Sequence, residues 1–156
     1  MKQRLNYIQA NPEGFQGMLA LQQKVDACSL DHALLELVKM RASQINGCAY
    51  CLDMHSKDAR AAGETEQRLY LLNAWREAPF YSDRERAALE WTEALTRLGT
   101  HAVPDHVYNE VRQYFTEKEI VELSYAIVAI NGWNRLAIAF RAEPGHYQPD
   151  HHNKSR

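Results

Sequence analysis

The sequence lacks a strong excess of charge of either sign. Its 18 basic and 20 acidic residues give a formal charge of −2 at neutral pH, and basic and acidic residues are interspersed. Proteins that bind nucleic acids or anionic lipid surfaces usually do so through concentrated positive charge. We therefore expect neither a nucleic acid nor a membrane among the partners of this chain.

Long apolar runs are also missing. The most apolar stretch, 120–140, is interrupted by Glu122, Asn131, Asn134 and Arg135, so it predicts a core helix and not a membrane span. The first residues, MKQRLNY, lack the apolar core of a signal peptide. Cysteine is scarce, with three residues. Together these features predict a cytoplasmic protein, where a Cys-x-x-Cys motif is more often redox-active or metal-binding than structural.

No segment alternates apolar and polar residues with a period of two, so we expect no sheet. Apolar residues recur instead at the three- and four-residue spacing of helices. The sequence predicts an all-α fold of about six to seven helices in a single domain, residues 1–156. We expect its core at about 14–140 and an extended or disordered tail at 143–156.

Capping and helix-breaking residues predict where the helices begin and end. We expect helices over 14–28, from Ser29 or Asp31 to about 45, from just before 48 to 63, from Thr65 to Pro79, from 82 to 99, from 104 to about 114, and from 116 to about 140. Ser82–Glu85 and Thr116–Glu119 both have the pattern of a capping box. Asn46-Gly47 tolerates the left-handed conformation that closes a helix, which predicts a turn between two neighbouring helices.

The segment 36–55 carries most of the chemistry. Cys48, Cys51 and His55 are three and four residues apart, so a helix would place two thiols and an imidazole on one face. A thiol reacts as its thiolate, and an ordinary cysteine is mostly protonated at neutral pH. The helix N-terminus favours a thiolate at Cys48, whereas His55 can take the proton of Cys51. The two arguments select different cysteines, but in both cases the pair can lose two electrons and close a disulfide.

Glu36 lies on the preceding helix, which the predicted turn folds back against the cysteines. A carboxylate there could orient His55 or pass its proton onward, as the third member of a triad does. Two alternatives stay open: an inert buried cysteine pair, and a zinc site formed by Cys48, Cys51, His55 and Glu36, all of them acceptable zinc ligands. Against zinc, structural sites usually use two separated ligand pairs, and no second pair here has that spacing.

These residues resemble the redox branch of the AhpD-like alkylhydroperoxidase and carboxymuconolactone decarboxylase family. The branch carries Glu-x11-Cys-x2-Cys-x3-His, which Glu36, Cys48, Cys51 and His55 match at the right spacing. Three flanking segments are similar too, 37–48, 54–60 and 130–136, and the likeness extends over about 14–140. The resemblance implies an all-helical fold that assembles into homo-trimers or homo-hexamers, with the active site near the subunit contacts.

The resemblance also implies a catalytic cycle. Cys51 would attack a hydroperoxide as a thiolate, and Cys48 would resolve the resulting sulfenic acid into a disulfide. His55 would act as the base, with Glu36 as a proton relay linked through water. An external thiol or dithiol reductant would restore both thiols, and we expect no metal, haem or flavin cofactor.

Two further points bear on this cycle. Tyr50 stands between the cysteines, where the best-studied branch has a second histidine, and a tyrosine is not a base at neutral pH, so the relay is expected to be simpler. The decarboxylase branch generally lacks the thiol pair, which argues against that reaction. An alternative use of the same pair is thiol–disulfide exchange or redox sensing without peroxidase turnover.

The remaining predictions concern packing. Polar groups inside an apolar helix need partners, so we expect Asn131, Trp133, Asn134 and Arg135 to line the active-site pocket or a subunit interface. Gly132 costs about 1 kcal/mol in a helix, which predicts a packing reason for it. Cys28 has no partner at close spacing and is expected to be a small core residue.

Overall fold

The computed structural model describes residues 2–99 and 102–149, and this part of the chain is entirely helical, without a strand. It forms eight α-helices and one short 3₁₀ helix: α1 (Tyr7–Ala10), α2 (Pro12–Asp26), α3 (His32–Asn46), α4 (Ala49–Ala61), α5 (Glu66–Leu71), the 3₁₀ helix (Leu72–Ala74), α6 (Asp83–Thr96), α7 (Asp105–Tyr114) and α8 (Glu117–Phe140). The predicted all-α fold is confirmed.

The capping residues read from the sequence begin the helices as predicted. Of the two candidates before α3, Asp31 is the cap, and its Oδ1 accepts the Ala33 amide at 2.7 Å. Both capping boxes form. The hydroxyls of Ser82 and Thr116 accept the backbone N–H of Glu85 and Glu119, and the side chains of these glutamates accept the backbone N–H of Ser82 and Thr116. Thr65 caps α5 through the Arg68 amide. These local contacts explain why the starts of the helices are readable from sequence.

Two parts of the chain differ from the prediction. The sequence did not predict helix α1. The aromatic ring of Tyr7 in this helix stacks on the ring of Phe140 in α8, with the ring centroids 5.7 Å apart. For α1 a local signal was available that the sequence reasoning did not use, because the Asn6 side chain caps it by accepting the amides of Ile8 and Gln9. The helix expected to run to Pro79 ends at Leu71 and continues as the 3₁₀ helix, and the backbone carbonyls of 75, 76 and 78 beyond it accept the guanidinium of Arg86.

Helix α3 is the central element and packs against α4, α6 and α8. All ten residues from Leu34 to Ser43 are buried, including charged ones. One apolar cluster joins α3 with α2, α6, α7 and α8, and a second joins α3 with α4, α5 and α6. A polar side chain in the middle of α3 is therefore enclosed, and it must find its partners within the protein. None of the helices in the described ranges is long and apolar enough to cross a membrane.

The segment 143–149 follows α8 without forming a helix or strand and lies against α4. The Gly145 amide donates to Asp53 Oδ2 at 2.9 Å, and the Lys57 ammonium donates to the Tyr147 carbonyl at 2.9 Å. The rest of the predicted tail, 150–156, lies outside the described residues. The division into a single domain with a terminal tail stays a prediction.

Candidate redox site

The turn between α3 and α4 places the two cysteines. Gly47 has φ +69°, the left-handed conformation that Asn46-Gly47 predicted, and it closes α3. Cys48 then caps α4, with its sulfur accepting the Cys51 amide at 3.3 Å. The chain reverses here, so α4 packs back along α3.

Cys48 and Cys51 are joined as a disulfide, with their Cα atoms 5.4 Å apart. Each residue is only 1% exposed. The pair packs in a small apolar cluster with residues of α3 and α8, and the cluster is bordered by Tyr50 and Ala142. The geometry that a two-electron dithiol–disulfide couple requires is therefore present, in an enclosed position.

Glu36 forms a buried charged group with residues of α3 and α4. Its Oε2 lies 2.9 Å from His55 Nδ1, and its Oε1 accepts the Lys39 ammonium at 2.9 Å. Glu36, Lys39 and His55 are 2%, 5% and 6% exposed. The contact expected between Glu36 and His55 is thus present, and each carboxylate oxygen has one partner.

These partners determine the charge of Glu36. Burial alone would raise the pKa of this carboxyl, but the hydrogen bond and charge of His55, together with the Lys39 ammonium, outweigh it and lower the pKa from 4.5 to about 2. Glu36 is consequently ionised throughout the neutral range. An ionised carboxylate at Nδ1 fixes the orientation of the imidazole ring.

This lowering predicts an acid-dependent stability. The pKa of Glu36 is lower in the folded state than its ordinary value of 4.5. Its carboxylate therefore stabilises the folded protein at a pH above 4.5, and this stability is lost as the pH falls towards about 2. At about 1.4 kcal/mol for each pKa unit, the contribution is on the order of 3 kcal/mol. Urea unfolding between about pH 5 and pH 2 should show that Glu36→Gln loses less stability than wild type by that amount.

The exposed Glu77 offers a matched control for this measurement, because its side chain lies at the surface. Glu77→Gln should follow the wild-type pH dependence. An unfolding free energy with the same pH dependence in Glu36→Gln and wild type would contradict the assigned pKa.

A cavity of about 250 Å³ reaches Glu36 from the side away from the cysteines. It lies between the start of α3 and the end of α4, and it is lined by Ala33, Glu36, Ala59, Ala62, Gly63, Glu64 and Arg68. A cavity of this size is large enough for several water molecules. Water can therefore reach the carboxylate that binds His55.

The cation-binding potential of the site is limited. A cation site needs at least three His, Cys, Asp or Glu side chains close together. Among the described residues, one such group exists, formed by Glu36, His55 and Asp58, and its ligand atoms lie within 4.8 Å of one another. It contains neither cysteine, so the proposed zinc set is not brought together. The Lys39 ammonium already occupies one oxygen of Glu36 and repels a cation there.

The polar residues inside α8 form a network that ends beside the cysteines. The Asn46 amide donates to Asn131 Oδ1 at 2.9 Å and to Asn134 Oδ1 at 2.8 Å. Asn134 donates in turn to the Ser43 hydroxyl at 3.0 Å. The network holds the end of α3 against α8, immediately before Cys48. The expectation that these residues line the active-site pocket or a subunit interface stays a prediction.

The neighbouring positions of α8 bind α2. Trp133 donates to Gln22 Oε1 at 3.0 Å. A Cβ atom on Gly132 would lie 2.8 Å from Cε of Met18, the movable end of a flexible side chain, so the packing reason expected for this glycine stays a prediction.

All four residues of the motif therefore lie along the α3–α4 pair. The sequence reasoning did not select Lys39 and Asp58, which also face this site. Both were detectable in principle, because Lys39 is three residues from Glu36 and Asp58 is three from His55, the spacing of one helical face. Tyr50 lies beside the cysteines, where it borders their cluster.

Comparison with known proteins places the same residues in a family. The model of the carboxymuconolactone decarboxylase family matches residues 12–94, a range that contains Glu36, both cysteines and His55. YdfG of Bacillus subtilis (strain 168), described as uncharacterized, is 46% identical over 139 residues, which are 89% of this chain and 95% of YdfG.

Solved structures resemble the whole fold. A protein of unknown function from Agrobacterium tumefaciens, suggested to be the antioxidant defence protein AhpD, has a TM-score of 0.90 and 43% identity, with 94% of this chain and 100% of that chain covered. The debrominase Bmp8 has a TM-score of 0.80 and 22% identity, with 89% and 75% covered. At that identity the likeness to Bmp8 concerns the fold alone.

Proposed function

Because the chain belongs to the carboxymuconolactone decarboxylase family and to its AhpD-like members, we propose that it is a thiol-dependent hydroperoxide reductase. The observation that carries the proposal is the disulfide pair at the start of α4, one helical turn before the buried pair of His55 and Glu36. Family and cysteine geometry fit a redox role, and peroxide reduction is the specific reaction that we propose.

The proposed cycle begins with both thiols reduced. His55 takes the proton of Cys51, and the thiolate attacks one peroxide oxygen, so that the O–O bond breaks and the alkoxide leaves as an alcohol after protonation. Cys51 is then a sulfenic acid. The sulfur of Cys48 attacks it, water leaves and the disulfide forms. One peroxide and two thiols thus give one alcohol, one water and one disulfide.

The charges around His55 support its role as the base. Glu36 is ionised and bound to Nδ1, so the imidazolium that forms when Cys51 loses its proton has a counter-charge already in place. The cavity of about 250 Å³ at Glu36, which can hold several water molecules, offers a path for that proton to the solvent. This supports the proposed relay, in which Glu36 acts through water.

The choice between the two sulfurs rests on the resemblance to the family, because the contacts of the two sulfurs do not rank them. Cys48 receives the Cys51 amide, which stabilises negative charge on its sulfur. That contact suits a resolving thiol, which must also become a nucleophile, while Cys51 has the base one turn away on α4. In line with what the resemblance implies, we propose Cys51 as the attacking residue and Cys48 as the resolving residue.

The enclosed position of the disulfide bears on the reductant. A donor thiol must reach a pair of residues that are each 1% exposed. We propose a slender dithiol, such as a lipoyl-type arm, and a cytoplasmic location, where thiols are kept reduced. The alternative is a thiol–disulfide exchange protein or redox sensor that uses the same pair without peroxidase turnover.

Peroxide consumption separates the two functions. Wild-type protein should consume a hydroperoxide catalytically when it is supplied with a lipoyl-type or thioredoxin-like donor. If the donors reduce the disulfide but peroxide disappears no faster than with donor alone, the exchange function is the correct one. Metal analysis of the purified protein should find less than one zinc per chain, because the zinc ligand set is not assembled.

We also propose that the chain forms a homo-trimer or homo-hexamer. Helix α8 exposes three apolar residues at a spacing of four and three, Val121, Tyr125 and Val128, which are 53%, 55% and 57% exposed. They share one face, and an apolar face of this kind commonly marks a protein interface. Val128→Asp should shift the mass measured by light scattering towards the monomer, whereas substitution of the exposed Tyr70 on α5 by Asp should not. A monomeric wild type would contradict the proposed assembly.

A further inference from the structure

Asp58 lies one helical turn after His55 on α4 and faces the same buried group. Ligand atoms of Asp58, His55 and Glu36 all lie within 4.8 Å of one another. Asp58 is partly buried, so its charge is less screened than that of a surface carboxylate. The imidazole of His55 thus has two carboxylates close to it, one from each of two neighbouring helices.

The segment 143–149 holds this second carboxylate in place. The Tyr147 hydroxyl donates to Asp58 Oδ1 at 2.7 Å. The Tyr147 carbonyl accepts the Lys57 ammonium, and the Gly145 amide donates to Asp53. Three hydrogen bonds to three residues of one helix fix the segment along α4. Tyr147, which follows Asp58 by 89 positions in the chain, thereby orients the Asp58 carboxylate beside the site.

Four charged or titratable groups act on Asp58. Burial raises the pKa of the Asp58 carboxyl, the hydrogen bond from Tyr147 lowers it, the charge of Glu36 raises it, and the charges of His55 and Lys39 lower it, with a raised pKa as the result. The phenol therefore favours the ionised carboxylate against the effects of burial and of Glu36.

We propose that Asp58 is a positioning residue of this site, stabilising the protonated form of His55 together with Glu36, and that Tyr147 holds the Asp58 carboxylate in the required place. The consequence for catalysis rests on the proposed function. An opposite charge within about 4–6 Å favours the charged form of a group by about one pH unit or more. Two carboxylates make His55 a better acceptor for the proton of Cys51 than Glu36 alone.

The experiment follows His55 and Cys51 directly, without peroxide. NMR titration of the His55 ring gives the midpoint of its protonation, and mass spectrometry of the Cys51 peptide gives its alkylation rate in reduced protein. In Asp58→Asn the His55 midpoint should fall by about one pH unit, and alkylation of Cys51 at neutral pH should slow by up to about tenfold.

Three further variants make the result specific. Asp58→Glu keeps the charge and should hold the midpoint near wild type, and Tyr147→Phe should lower it by less than Asp58→Asn. Asp105→Asn, at an exposed position on α7, should change neither readout. A merely structural role would lower stability without moving the His55 midpoint.

The outcomes separate this inference from the proposed function. An unmoved midpoint in both Asp58→Asn and Tyr147→Phe overturns the positioning role, and Tyr147→Phe alone decides if Asp58→Asn does not fold. If the midpoint moves as expected while wild-type protein reduces no peroxide, the positioning role stands and the peroxidase function fails.

Discussion

Cys51→Ser is expected to reduce peroxide consumption by at least about a hundredfold, because a serine hydroxyl is not ionised at neutral pH and cannot replace a thiolate nucleophile. The substitution changes one buried atom in the small cluster around the disulfide, so the fold should persist. Peroxide loss in the presence of excess dithiol measures the effect, and circular dichroism verifies the helices.

The chain supplies two controls for this result. Cys28 is a free, half-buried cysteine that packs against the apolar core, and Cys28→Ser should keep wild-type activity. Cys48→Ser should still reduce one equivalent of peroxide but stop at the sulfenic acid, which dimedone traps. If instead Cys48→Ser loses the first step and Cys51→Ser keeps it, the two sulfurs have the opposite roles.

His55→Asn should slow the reaction with peroxide by about a hundredfold or more at neutral pH, the usual effect of losing a general base. The asparagine amide can occupy the place of Nδ1 and still donate to Glu36, so the buried carboxylate keeps a partner. The deficit should shrink above about pH 9, where a cysteine ionises without help. Single-turnover rates across this pH range give the measurement.

Alanine at the exposed His106 of α7 is the matched control and should leave the pH profile unchanged. A His55→Asn rate that stays within a factor of about three of wild type would show that Cys51 loses its proton by another route.

The sequence was most informative where structure depends on neighbouring residues. The capping boxes at Ser82 and Thr116 and the left-handed Gly47 use contacts within four residues, and all were predicted. Helix α1 was missed although Asn6 caps it through the amides of Ile8 and Gln9, because a helix of four residues is too short to show helical periodicity. After α5 the backbone carbonyls of 75 and 78 bind Arg86, eight to eleven residues away, and helical periodicity does not encode that contact.

The candidate site likewise has a part that the sequence predicts and a part that it does not. The spacing of Cys48, Cys51 and His55 places them on one helix, and the Gly47 turn brings Glu36 to His55. Their chemical roles stay predictions that need activity measurements. The part played by Tyr147 lay beyond sequence reasoning, because its segment forms no regular element and reaches Asp58 only in the folded chain.

The most direct measurement is titration of the fully reduced protein with hydroperoxide, in the absence of any donor. The proposed cycle predicts that one equivalent of peroxide removes two of the three thiols per chain, lowers the intact mass by two hydrogen atoms, links the Cys48 and Cys51 sulfurs and leaves Cys28 free. Retention of all three thiols after exposure to peroxide, or a disulfide that includes Cys28, would contradict it.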